Sequence, residues 1–233
     1  MLPFAAVATA AAPTAAVGML RYRVQGWNGS RKDAAKDLRD VLGGLAGDSG
    51  RDIDRVLLIG HSMGGRAVLD AAASPLVTGV CALAPWLPSG EALADLGGRR
   101  IVFAHGDADT TTDFASTAQF VRRCRERGWP AAFFTVPGEQ HNMLRSASAW
   151  DDVVGRFVTA EVSGTGDPLL DEATTTDVSR PPTLLSASER GTPWRGVASV
   201  AAAAATARAV PRWLAVRRDW ARRDSARRGR EIR

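Results

Sequence analysis

Cysteine and histidine are scarce in this chain. Two cysteines in 233 residues make neither a disulfide scaffold nor a structural metal site. Cys81 sits in an apolar run and Cys124 in a helical stretch, and both read as small core fillers. Lysine is nearly absent: arginine outnumbers it 28 to 2. With the abundant alanine, that bias points to a GC-rich coding sequence more than to any partner. A membrane span is missing as well, because Arg208, Pro211 and Arg212 interrupt the Ala-rich stretch near the C-terminus. The apolar stretch 1–16 has no basic residue ahead of it, which argues against a secretion signal. The chain is expected to be cytoplasmic.

Charge is unevenly distributed. Residues 1–162 hold 17 Lys+Arg and 17 Asp+Glu, residues 163–189 hold 1 and 5, and residues 190–233 hold 12 and 3, which together give the net +5. The basic character therefore belongs to the tail and not to the body. The stretch 163–193 is rich in Gly, Ser, Thr, Pro and Asp without apolar periodicity and reads as a flexible linker. Residues 194–233 read as an Ala/Arg-rich helical or disordered tail. A basic helix carrying Trp213 and Trp220 suits weak contact with an anionic membrane surface, and nothing indicates a specific nucleic acid.

The most informative stretch is Gly60-His61-Ser62-Met63-Gly64-Gly65. The apolar run Val56-Leu57-Leu58-Ile59 precedes it, and helix-forming residues from Ala67 to Ala73 follow. Gly-x-Ser-x-Gly between a strand and a helix is a nucleophile elbow, a sharp turn that holds one serine clear of the backbone. Ser62 is the candidate nucleophile. A serine hydroxyl needs a base to take its proton and a carboxylate to orient that base. Only three histidines are available. His61 lies inside the elbow and is excluded as the base. His105 opens His105-Gly106-Asp107-Ala108-Asp109 after the run Ile101–Ala104, and His141 ends Gly138-Glu139-Gln140-His141 after the run Ala131–Val136. Both segments read as polar loops at strand ends. Asp109 and Asp107 are both open as the acid, Asp113 reads as the N-cap of the next helix, and His105 reads as a packing or loop-bonding residue.

In these three motifs, and in their order Ser, Asp, His, the chain resembles the α/β-hydrolase superfamily. The stretch from Arg21 to Gly29 (RYRVQGWNG) and the stretch from Ala82 to Pro88 (ALAPWLP) resemble small dienelactone-hydrolase-like enzymes of actinobacteria over about residues 1–160. The resemblance implies Ser62 as nucleophile, Asp109 as acid, His141 as base, and the Met63 N–H in the oxyanion hole. It places His61 and Trp86 at the substrate pocket, although Trp86 and Trp27 suit core packing equally. The implied reaction is cleavage of a small carboxylic ester or lactone through an acyl-enzyme, with no metal or organic cofactor. The alternative is a truncated, inactive hydrolase-like protein whose basic tail binds a membrane surface or a partner.

Helices are expected at 3–12, 33–46, 64–73, 113–127 and 147–160, and strands at 16–23, 55–60, 79–84, 100–104 and 131–136. The expected fold class is therefore α/β: a partial α/β-hydrolase fold over 1–162, with a mostly parallel sheet of about five strands flanked by helices. The superfamily implies a fuller sheet, including a strand and a Gly-rich oxyanion loop ahead of the elbow. The sequence has neither before residue 18, and a Met1 internal to a longer reading frame is the favoured explanation.

Overall fold

The computed structural model describes residues 1–47 and 53–184. Its elements are α1 (Leu2–Ala11), α2 (Asp33–Ala46), β1 (Val56–His61), α3 (Met63–Ala71), β2 (Val77–Leu83), β3 (Arg100–Gly106), α4 (Phe114–Glu126), β4 (Ala131–Val136), α5 (Ala147–Ser163) and α6 (Pro168–Thr175). The four strands form one sheet in the order β1-β2-β3-β4, and each neighbouring pair is parallel. Parallel neighbours need a crossover between them. Helix α3 supplies the first and α4 the third, while the irregular stretch 84–99 makes the second.

Side chains alternate across a strand, and both faces of this sheet are apolar. Leu58, Val80, Ala82, Ile101, Phe103 and Phe133 face Leu38 and Leu42 of α2, Val68 and Leu69 of α3, and Phe120 and Val121 of α4. Cys81, Leu83, Val102, Ala104, Phe134 and Val136 face Phe4 and Val7 of α1, Trp150, Val153 and Phe157 of α5, and Leu170 of α6. Full burial of one such side chain contributes about 1.5–3 kcal/mol. These two covered faces explain why the strands read as continuous apolar runs and not as alternating ones.

Two expectations need correction. Residues 16–23 do not form a strand, so the sheet among the described residues has four strands, not five. A strand requires a ladder partner, and this segment is engaged elsewhere. The Arg23 N–H donates to Asp37 Oδ2 at 2.7 Å, the Arg23 guanidinium bonds Asp37 and Asp40 on α2, and Tyr22 packs against the cluster of Trp27, Ala34, Ala35 and Ala67. The second correction concerns the linker. Within 163–184 the chain is ordered against the body: Asp167 caps α6 through the N–H groups of Leu169 and Leu170, Leu170 and Ala173 are buried, and Thr183 bridges Thr135 in parallel. The rest of the expected linker and the whole of the expected tail lie outside the described residues.

Candidate active site

The elbow is built by close approach. A Cβ on Gly60 would collide with the Gly64 carbonyl, so the strand can pass under the first turn of α3 only as glycine. Ser62, between them, has φ 56° and ψ −121°. A non-glycine residue held there stores about 1–3 kcal/mol of strain. Three hydrogen bonds hold it in place. The Ser62 N–H donates to the Leu83 carbonyl at 3.0 Å, and the Ser62 carbonyl accepts from Trp86 at 3.0 Å and from Arg66 at 3.2 Å. Met63 is the first residue of α3, so its N–H has no acceptor within the helix and lies at the positive end of the helix dipole.

The loops after β3 and β4 bring the acid and base candidates to that elbow. Ser62 Oγ is 2.9 Å from His141 Nε2, and His141 Nδ1 is 2.8 Å from Asp109 Oδ2. A nitrogen facing a carboxylate carries the proton, so Nδ1–H donates to Asp109 and the Nε2 lone pair accepts from Ser62. Burial alone would push the Asp109 carboxyl up. The N–H groups of Thr112 and Thr111 and the side chains of His141 and Thr112 reverse this and hold it at about 2. Asp109 is therefore an anion throughout the neutral range. Asp107, the other candidate acid, accepts from the Gly138 N–H at 2.6 Å and ties the two loops together. Asp113 caps α4 through the N–H groups of Ala115 and Ser116.

Two further groups hold the base loop. Glu139 is fully buried. It accepts from the N–H of Ser146 at 2.6 Å, of Gln140 at 3.1 Å and of Arg145 at 3.3 Å, and from Trp150 Nε1 at 3.3 Å. His61, placed at the substrate pocket by sequence, is turned toward the base. Its ring lies 4.6 Å from that of His141, and its Nε2–H donates to the His141 carbonyl at 3.1 Å. Burial and the adjacent His141 push His61 down to about 4, so it is neutral while His141 works. Trp86 is 40% exposed. The Arg66 guanidinium lies between it and buried Trp27, 4.8 Å from the first ring and 3.9 Å from the second, and forms a two-pronged ion pair with Glu91 at 2.9 and 2.6 Å. Trp27 thus has the packing role, and Trp86 presents its free side to solvent.

Sequence reasoning singled out Ser62, His141 and Asp109, and the fold brings all three together. It missed Thr112, Glu139 and the Arg66–Glu91 pair. Glu139 carried a usable signal, a carboxylate two residues before the base in a loop entering a helix. Thr112 and Arg66 carried none, because their roles depend on which loops meet. Among the described residues no group of three or more His, Cys, Asp or Glu side chains is arranged to hold a metal ion, and no helix is long and apolar enough to cross a membrane.

Several solved structures are similar to part of this chain. Esterase PE8 is 15% identical, with 57% of this chain and 62% of that one covered and a TM-score of 0.43. SOBER1 of Arabidopsis thaliana is 19% identical, with 52% and 64% covered and a TM-score of 0.40. A carboxylesterase of Bacillus cereus is 19% identical, with 64% and 80% covered and a TM-score of 0.46. The chain spans less than two thirds of the first two of these proteins. Among curated proteins none matches it. The family model of dienelactone hydrolases matches residues 16–158, well over half of the 233 residues: the chain belongs to the dienelactone hydrolase family.

Proposed function

We propose that the protein is a serine hydrolase that cleaves a small carboxylic ester or lactone. The observation that carries this reading is the unbroken hydrogen-bonded series from Asp109 through His141 to Ser62, with Ser62 held at a positive φ at the start of a helix. His141 Nε2 takes the Ser62 proton as Oγ attacks the carbonyl carbon. Asp109 keeps His141 in the tautomer that can accept that proton and stabilises the cation that forms. The Met63 N–H donates to the developing oxyanion. His141 then returns the proton to the leaving alcohol, and water, deprotonated by the same nitrogen, releases the acid. Esterase PE8 and the Bacillus cereus carboxylesterase bear names of the same reaction class.

The test is turnover of p-nitrophenyl acetate under pre-steady-state conditions. The protein should release a burst of p-nitrophenol equal to the enzyme concentration, and Ser62→Ala should remove the burst and lower turnover by about four to six orders of magnitude. Hydrolysis that survives in Ser62→Ala would overturn the assignment.

A further inference from the structure

His105 is not part of the series just described, yet it is fully buried four residues before the candidate acid. Its ring is fixed from α4 by two contacts. Thr117 Oγ1 lies 2.9 Å from Nδ1, and the Phe114 ring lies edge-on at 5.6 Å. Its other nitrogen, Nε2, is 3.3 Å from the Thr112 carbonyl and 3.4 Å from Asp109 Oδ2. Both of those groups only accept. A lone pair on Nε2 would face two acceptors at once, so Nε2 carries the proton, and Nδ1 accepts from the Thr117 hydroxyl. The Thr112 hydroxyl, 2.8 Å from the same Asp109 oxygen and 3.3 Å from Nε2, completes the cluster.

We propose that His105 is a positioning residue for Asp109. Its Nε2–H donates to the Thr112 carbonyl and stands 3.4 Å from the Asp109 carboxylate, so it ties the acid loop to α4 and offsets part of the Asp109 charge, which sets how strongly Asp109 holds protonated His141. The inference rests on the triad reading above. The groups facing His105 are Asp109 and Thr112 in the acid loop, Thr117, Phe114 and Asp113 at the start of α4, and His141 in the base loop. Burial opposes its protonation, so it acts as a fixed neutral donor and not as a second base.

Removing that donor leaves more negative charge on Asp109 for His141. The acidic limb of the kcat/KM profile should then move to higher pH, by roughly half a unit or more. Loss of the anchor should also lower kcat/KM roughly ten- to a hundredfold at neutral pH. The experiment compares three substitutions. Gln can place an N–H where Nε2 stood, Asn can reach only the Nδ1 position, and Phe fills the space without either. His105→Phe and His105→Asn should both shift the limb, and His105→Gln should restore it. Titration of His141 by NMR in the same variants reads the shift without turnover. Equal limbs in the Gln and Asn variants, or a His141 titration unmoved in all three, would overturn the proposal. A wild-type protein that turns over no ester while its His141 titration follows the predicted order would instead sink the catalytic reading alone.

Discussion

At the scale of single residues, the site is governed by which ionisable groups are charged in the folded state. Asp109 is held at about 2 and His61 at about 4, and burial also lowers His105. A histidine whose folded pKa is depressed binds fewer protons folded than unfolded. It therefore costs stability as pH falls from its unfolded value of about 6.5 to its folded value. For His61 that window runs from 6.5 down to about 4, with a ceiling of about 3 kcal/mol, reduced by the water that reaches its partly exposed ring. His105 adds loss of the same sign. Chemical denaturation at pH 7, 6, 5 and 4.5 should show stability falling through this window. His61→Gln, which keeps a donor for the His141 carbonyl but does not titrate, should flatten the slope. An unchanged slope in that variant would remove His61 as the cause. Ser62, Asp109 and His141 were readable because each sits in a short motif at the end of an apolar run. Thr112 and His105 were not readable as partners. Their roles arise only when the turn after β3 folds back on Asp109 and the base loop closes over it.

At the scale of elements, two segments changed meaning. The segment 16–23 has strand-forming residues, Val17, Met19, Leu20, Tyr22 and Val24 among its neighbours, but β-propensity expresses a fit to a pleated neighbour. Here the backbone of Arg23 bonds a carboxylate of α2, and Met19, Leu20 and Val24 remain exposed. Helix α6 went unread for the opposite reason. Eight residues with two adjacent leucines give too short a pattern for helical periodicity, although Asp167 followed by Pro168 is a readable N-terminus. Its docking is a burial effect. Leu170 lies in the same cluster as Phe134 and Trp150, and Arg125 of α4 donates to the carbonyls of Thr176 and Ala173 at 2.5 and 2.6 Å. Leu170→Ala should therefore cost about 2–5 kcal/mol, whereas Asp167→Ala, which removes the cap and a part-exposed ion pair with Arg156 at 3.0 Å, should cost about 1–2 kcal/mol. Urea unfolding of both variants checks this. A Leu170→Ala loss as small as the cap loss would mean that α6 rests on the body without contributing to its core.

At the scale of the whole molecule, one parallel sheet delivers all three candidate residues to one edge. Ser62 follows β1, Asp109 follows β3 and His141 follows β4, each at the carboxyl end, where open α/β sheets bind ligands. This much of the architecture was legible in the alternation of apolar runs and helical stretches. The strand count was not, because a strand is defined by its partner. Charge is also a property of the whole. Residues 190–233 carry 12 basic and 3 acidic residues, so a chain ending at 189 has its net charge lowered from +5 to −4. Cosedimentation with vesicles containing phosphatidylserine should be salt-sensitive for the full chain and lost on truncation, with ester turnover unchanged. Binding that survives truncation would place the membrane contact on the body.

The central claim is that Ser62 is the nucleophile of an acyl-transfer site. A fluorophosphonate reacts covalently with a serine only when a base activates it, and trypsin cleavage after Arg55 and Arg66 releases residues 56–66 as one peptide containing a single serine. Mass spectrometry of that peptide after labelling is the most direct measurement. The adduct should be found on Ser62, and it should be lost in His141→Ala, where the base is gone. An adduct on another residue, or none on a protein that hydrolyses esters, would contradict the account.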